Sequence, residues 1–266
     1  MEAIYQSRFQ IRAGVVPLLI CRDLPVPHGF STRLGGVSRG GGRDTLDLGR
    51  DDGTPEVAEN RRRFAAALEI GAERLIYAKQ RHSATVETVT EADLGRAFAC
   101  DGFVTDRPGL LLTVKTADCV PILLADPVRG VIGAVHAGWR GTVAGIVGEA
   151  IERMAAFGAR PRDVIAAIGP CIHAECFEVD EPFCEAVAAS ACGPRLTDHI
   201  RPLPGKAGRY TADLVGMNRQ LLLEAGLTEA HIAATGFCTG CAPELFYSHR
   251  VCGTERGLMM AGIRLP

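Results

Sequence analysis

The chain has 266 residues, above the commonest domain size but within what one large α/β or β-rich unit fills without splitting, so one domain over 1–266 is expected. Its 47% apolar and 23% charged content is an ordinary globular balance that excludes a fibre or a disordered chain. The net charge is −2 and the arginines are scattered apart from the run 61–63, which excludes nucleic acid as the main partner. Residues 1–5 lack the pattern of a signal peptide, and no apolar run approaches the roughly 20 residues that span a bilayer. A cytoplasmic protein with no membrane partner is expected.

In chain order, the glycine-rich stretch 35–42 reads as a mobile loop. A helix is predicted over 55–70, with Thr54 as cap, Pro55 in the first position and Gly71 as stop. Runs rich in Val, Ile and Leu at 74–79, 84–90, 109–125 and 131–137 read as strands. A second helix is predicted over 143–157, capped by Thr142 and ended by Gly158, because Val143, Ile146, Val147, Ala150, Ile151 and Met154 keep helical spacing. Strands at 163–168, 232–237 and 258–265 and helices at 181–192 and 211–225 complete the pattern. Several strands follow one another through turns too short for a helix, so the class is mixed α and β rather than a doubly wound parallel sheet.

Thiols of a cytosolic chain stay reduced, so its ten cysteines read as core filler, metal ligands or nucleophiles. Cys21, Cys100, Cys184 and Cys192 lie among small apolar residues and read as filler. Cys119 differs, because the turn-forming string Asp126-Pro127-Val128-Arg129-Gly130 folds its strand back on the run containing His136. With 126–129 as the loop, Cys119 directly opposes His136 on one face, with Cβ atoms about 4.5–5.5 Å apart, near enough to share a zinc ion. His82 interrupts two apolar strands and is nominated as a third ligand, leaving zinc an open position for water or substrate. Each of the three alone reads more often as a packed core cysteine or a hydrogen-bonded core histidine, and it is the opposed pair that shifts the balance toward a metal. Gly138-Trp139-Arg140-Gly141-Thr142 then enters the second helix and reads as an anion site or as a plain strand-to-helix turn. Cys238, Cys241, His249 and Cys252 offer a second metal set, or simply buried thiols.

Lys79-Gln80-x-His82, Thr116-Ala117-Asp118-Cys119-x-Pro121, Val135-His136-Ala137-Gly138-Trp139-Arg140-Gly141-Thr142 and Ile168-Gly169-Pro170-x-Ile172 together resemble the YfiH, or laccase-domain, family. The likeness extends from Phe30-Ser31-Thr32-Arg33 to Phe246-Tyr247-Ser248-His249-Arg250. It implies an α+β fold, a four-layer α/β/β/α sandwich with mixed sheets, and zinc at His82, Cys119 and His136. It also implies phosphorolysis of purine nucleosides (adenosine, inosine, guanosine and methylthioadenosine) together with adenosine deamination. Copper and polyphenol oxidation belong to older names in the family, but one His/Cys/His set lacks the further ligands of a multicopper oxidase. The chain departs from the family at Asp47, at Phe177-Glu178-Val179-Asp180 and at His249 to Cys252, which bears on substrate preference.

On this reading phosphate lies near Arg33, Arg140 and Thr142, with Lys79, Gln80, Ser248 and Arg250 as further substrate contacts. Asp118 or Glu178 would move protons in deamination, and Asp118 could instead orient a histidine ligand. The rivals are a cysteine hydrolase with Cys119 as a nucleophile activated by histidine, and a non-enzymatic partner protein whose zinc is structural. Sequence leaves the chain a monomer or a homodimer.

Overall fold

The computed structural model describes residues 8–40, 42, 45–49 and 54–266. Residues 1–5, the start without a signal-peptide pattern, and Gly41 of the glycine-rich stretch lie outside them. The strands are β1 (Phe9–Arg12), β2 (Leu18–Cys21), β3 (His28–Ser31), β4 (Leu75–Ile76), β5 (Val86–Thr88), β6 (Gly102–Thr105), β7 (Leu111–Thr116) and β8 (Val120–Asp126). They continue as β9 (Val131–Ala137), β10 (Ile165–Ile168), β11 (Glu178–Asp180), β12 (Ile200–Pro202), β13 (Arg209–Ala212), β14 (Ile232–Ala234) and β15 (Met259–Ile263). The helices are α1 (Pro55–Ala67), α2 (Trp139–Val143), α3 (Ile146–Ala156), α4 (Glu181–Ala188), α5 (Gly193–Leu196), α6 (Leu214–Glu224) and α7 (His249–Cys252).

Two six-stranded mixed sheets, ordered β1-β2-β3-β15-β7-β4 and β14-β10-β8-β9-β6-β5, follow from this, with a small β11-β13-β12 sheet beside them. Side chains alternate between the faces of a strand, and here both faces are apolar, which requires a layer on each side. Leu112, Val114, Ala261 and Ile263 of the first sheet meet Leu123, Ala125, Ile132 and Ala134 of the second in one core. The opposite face of the first sheet, through Leu18, Leu111 and Met260, packs on Phe64, Ala65 and Leu68 in and just beyond α1. The opposite face of the second, through Ile122, Leu124 and Val135, packs on Ile146, Ala150 and Met154 of α3 and on Met217 and Leu221 of α6. Three cores between four layers give the α/β/β/α sandwich that the resemblance implies.

Several local expectations are corrected. The run 109–125 is two strands, broken by a turn at 117–119 where Asp118 takes φ 89°. In the β8–β9 hairpin Asp126 pairs with Val131 and Pro121 with His136, so the loop is 127–130. Asp126 caps that loop by accepting bonds from the N–H groups of Val128 and Arg129. The register thus lies two residues from the expected one, and Cys119 does not directly oppose His136. A two-residue shift keeps both side chains on the same face, so their proximity survives. The helix expected over 143–157 already starts at Trp139 and breaks at Gly145, whose φ of 86° suits glycine. Thr142 is therefore no cap; its buried hydroxyl accepts from Asn218 Nδ2 at 3.0 Å. The predicted helix over 211–225 begins only at Leu214, where Asp213 accepts the N–H of Gly216. Within the glycine-rich stretch, Val37 and Ser38 are tied to Asn60 of α1 at 2.9 and 2.8 Å, so this part is anchored rather than free.

Candidate metal centre

His136 lies at the end of β9, deep in the sandwich and only 3% exposed. The β6–β9 register pairs Gly102 with Val135, and one step on it places Asp101 opposite His136, whose N–H donates to the Asp101 carbonyl at 2.7 Å. His136 Nδ1 bonds the Asp101 carboxylate at 2.9 Å. That bond fixes the tautomer and leaves Nε2 to face the Cys119 sulfur. The same carboxylate accepts the N–H groups of Arg81, His82 and Ser83 and the Ser83 hydroxyl, at 2.7 to 3.1 Å. This cradle holds His82 at φ 58°, a conformation non-glycine residues rarely adopt, and turns its imidazole toward His136. The two rings meet edge to face with centroids 4.9 Å apart.

Cys119, supplied by the turn before β8, brings Sγ to 3.8 Å from His82 Nε2. One ligand atom from each of His82, Cys119 and His136 lies within 4.8 Å of the others. Gly138 permits this: a Cβ there would stand 2.8 Å from His82 Cδ2 and 3.3 Å from Cys119 Sγ. Burial alone would push the Cys119 thiol up, but the neighbouring His136 charge and hydrogen bonds with both histidines outweigh it and bring it down to about 6. Burial likewise opposes the His136 imidazolium, yet the Cys119 thiolate and the Asp101 carboxylate raise it to about 9. Asp101 is driven upward by burial and further downward by its bonds from His136 and Ser83, ending well below the usual carboxylate range. Without a metal the site is thus an anionic sulfur beside a cationic ring. Two imidazoles and one readily ionised thiol are a donor set that suits a tetrahedral cation with one position left over.

The cluster stands between two clefts that share His82, Ala117 and Cys119. The larger, about 730 Å³, is walled by Trp139, Phe177 and Phe183 and edged by Arg140, Arg209 and Arg250. Its aromatic panel is continuous, with Trp139–Phe183 and Phe177–Phe183 centroids 5.0 and 5.8 Å apart. The smaller, about 240 Å³, is lined by Lys79, Gln80, Lys115 and Arg256.

Of the residues singled out in the sequence, His82, Cys119, His136, Asp118, Arg140, Glu178 and Arg250 meet at or beside the larger cleft. The rest fall elsewhere. Arg33 lines neither cleft; its guanidinium bonds the Pro243 carbonyl at 2.8 Å and stacks on Tyr247. Ser248 is buried and caps α7 by accepting the Val251 N–H, while Thr142 is held by Asn218. Gln80 borders the smaller cleft, but its amide is spent on the Lys115 N–H and carbonyl at 2.7 and 2.8 Å. Asp118 orients neither histidine: its oxygens accept from the Thr239 hydroxyl and the Arg250 N–H, both at 2.7 Å. Glu178 bonds Lys206, which holds its carboxyl below the ordinary value. The group that orients His136 is Asp101, unremarked in the sequence reading. Its signal is a single acid inside the apolar run Ala97-Phe98-Ala99-Cys100-Asp101-Gly102-Phe103-Val104.

Fold and site together define a mixed α+β protein with a two-imidazole, one-thiol centre opening onto an aromatic cleft. The family described as "Multi-copper polyphenol oxidoreductase laccase" matches residues 27–266. A purine nucleoside phosphorylase of Deinococcus radiodurans is 42% identical over 252 residues, 94% of each chain. Adenosine deaminase RL5, from an unknown prokaryotic organism, is 34% identical and covers 90% of this chain and 92% of its own. The crystal structure of the hypothetical protein YfiH of Bacillus licheniformis superposes with a TM-score of 0.87 at 32% identity, covering 97% of this chain and 99% of that one. The chain belongs to this laccase-domain, or YfiH, family. Among the described residues no helix is long and apolar enough to cross a membrane.

Proposed function

We propose that the chain is a cytoplasmic, zinc-dependent purine nucleoside phosphorylase in which His82, Cys119 and His136 hold the metal. The observation that carries this reading is the opening of an N,N,S donor set, oriented by Asp101, onto a cleft that combines an aromatic panel with arginines. The name of the Deinococcus radiodurans relative, similar over 94% of each chain, supports it. When bound, zinc would supply Lewis acidity and fixed positive charge to the cleft.

The chain's own groups do the rest. A purine packs on the Trp139, Phe177 and Phe183 panel beside the Arg140 and Arg250 guanidiniums, which lie 4.2 Å over Trp139 and 5.2 Å over Phe177, in a volume suited to one nucleoside. Arg140 holds inorganic phosphate in line with the sugar C1′ without the Arg33 and Thr142 expected beside it, while Arg250 edges the cleft with its guanidinium bonded to the Glu178 carbonyl at 2.7 Å and lying over Phe177. A phosphate oxygen bonds C1′ as the bond from C1′ to the purine nitrogen breaks, and its electron pair leaves with the base. Catalysis is then mostly positioning and electrostatics. Glu178, kept ionised by its Lys206 bond, serves as an acceptor for ribose hydroxyls rather than as an acid.

The test is a screen of adenosine, inosine, guanosine and methylthioadenosine with and without phosphate, reading free base by chromatography. Phosphate-dependent base release that is lost in a folded Cys119→Ala protein supports the reading; release without phosphate, or undiminished in the variant, overturns it. Two alternatives have observations of their own. The relative named adenosine deaminase supports deamination, read as ammonia release from adenosine. The lowered Cys119 thiol beside His136 supports a metal-free cysteine hydrolase, and activity retained after chelation would select it. Copper fits two imidazoles and a thiolate as well, and metal analysis of protein purified without chelator decides between the ions.

A further inference from the structure

A second sulfur cluster lies apart from the His82 centre. Cys176, Cys238 and Cys241 bring their sulfur atoms within 4.8 Å of one another, and Cys176 Sγ stands 3.2 Å from Cys241 Sγ. The C-terminal set read from sequence is thereby redrawn. His249 donates from Nδ1 to the Gly253 carbonyl, Cys252 is an exposed residue of α7, and Cys176 from a distant segment takes their place.

The cluster is constructed from two backbone segments rather than one loop. Cys171 and Cys238 form a parallel bridge, and the Thr239 N–H donates to the Cys171 carbonyl at 2.9 Å. From there Cys238 to Cys241 makes a turn closed by the Cys241 N–H on the Cys238 carbonyl at 3.3 Å, and that turn carries Cys241 back over Cys176. Glycine at its corner keeps the approach close, since a Cβ on Gly240 would stand 3.0 Å from Cys176 Cβ and 3.3 Å from Cys176 Sγ and crowd them by a few tenths of an ångström. The His173 N–H points at Cys238 Sγ, 3.4 Å away, the kind of bond that steadies a thiolate. Burial falls from Cys238 through the half-buried Cys176 to the exposed Cys241, so one side of the cluster faces solvent.

We propose that Cys176, Cys238 and Cys241 form a second metal site, a three-thiolate seat for a soft divalent cation such as zinc. Three sulfurs converging from two segments match that chemistry better than a disulfide, which would engage two and leave the third over. Binding displaces the thiol protons to solvent and leaves the site one negative charge, partly met by the His173 N–H. Its effect is to clamp the walls of the larger cleft. Cys176 directly precedes Phe177 and Glu178, and Cys238 precedes Thr239, which donates to Asp118 beside Cys119. This site stands whether or not the cleft performs phosphorolysis.

The test uses a full chain whose first centre is disabled, His82→Ala/Cys119→Ser, titrated with Co²⁺ after reduction. The expected result is about one Co²⁺ per chain with intense thiolate-to-cobalt absorption in the near ultraviolet, and loss of that absorption when Cys241→Ser or Cys176→Ser is added. The exposed Cys241 variant keeps the fold even if the Cys176 variant does not. Absence of thiolate absorption in the reduced, folded background protein overturns the proposal. So does absorption unchanged by Cys241→Ser.

Discussion

Replacing Asp101 by Asn tests the account at its hinge, because the carboxylate serves the backbone that carries His82 and the ring of His136 at once. Oδ1 accepts from His82 N–H and His136 Nδ1, both at 2.9 Å, and Oδ2 accepts from Ser83 N–H and Oγ at 2.8 and 2.7 Å. An amide retains one acceptor oxygen, so either rotamer sets an NH2 against two groups that were donating. At about 1–3 kcal/mol for each stranded buried donor, the cost is roughly 2–6 kcal/mol of stability. If the NH2 faces His136, Nδ1 becomes the acceptor and Nε2 carries the proton, which removes the lone pair a metal needs. Zinc affinity should therefore fall by about 10–100-fold. Urea unfolding of the metal-free protein measures the first effect, and competition with a chromophoric chelator the second. Asp126→Asn is the control, since Asp126 is equally buried and accepts from Val128, Arg129 and Arg160 N–H groups far from the centre. It should lose stability and keep its zinc affinity. Wild-type zinc affinity in Asp101→Asn would refute the reasoning.

Gly138→Ala should leave stability within about 1 kcal/mol, because φ of −65° suits alanine, yet weaken zinc binding at least about tenfold by pushing His82 and Cys119 apart; chelator competition and thermal unfolding together check this. In metal-free protein the alkylation rate of Cys119 should rise with a midpoint near pH 6 rather than near its ordinary value of 9, and zinc should suppress it. The sign for stability follows from the same shifts. The lowered Cys119 contribution is fully present above pH 9 and lost as pH falls through about 6, and the raised His136 contribution is fully present below 6.5 and lost as pH rises through about 9. From pH 6.5 to 9 folding therefore moves one proton from sulfur to ring with no net uptake, and the pair should add no slope to metal-free stability across that window, as urea midpoints can show. Arg140→Ala should raise the KM for phosphate, whereas Arg33→Ala should lower stability and leave that KM unchanged, because Arg33 is spent on Pro243 and Tyr247; initial-rate kinetics separate the two outcomes.

What could be read in the sequence was local. Two apolar runs on either side of the turn-forming string 126–130 exposed the β8–β9 hairpin and its His136, and Pro55 marked the start of α1. The register escaped because Asp126 looks like a loop residue while its backbone still pairs with Val131 and its side chain caps the turn. The error was harmless only because it was even, leaving Cys119 and His136 on one face. Long-range partnerships were beyond reach. A lone acid at 101 announces that something must satisfy it, but not that the 81–83 backbone and His136 do so. Cys176 is likewise 62 residues from Cys238 in sequence, and the parallel β10–β14 pairing, continued by the Cys171–Cys238 bridge, brings their segments together. Thr142 and Ser248 carried the hydroxyls of an anion site in sequence, and packing put both to internal use.

Anomalous diffraction from zinc-loaded crystals, collected on both sides of the zinc absorption edge, addresses the metal assignment without relying on turnover. The expected result is a zinc peak about 2.0–2.3 Å from one nitrogen each of His82 and His136 and from Cys119 Sγ, with no fourth protein ligand. Crystals of protein that still releases purine base from inosine, but that show no peak between those three side chains, would contradict it.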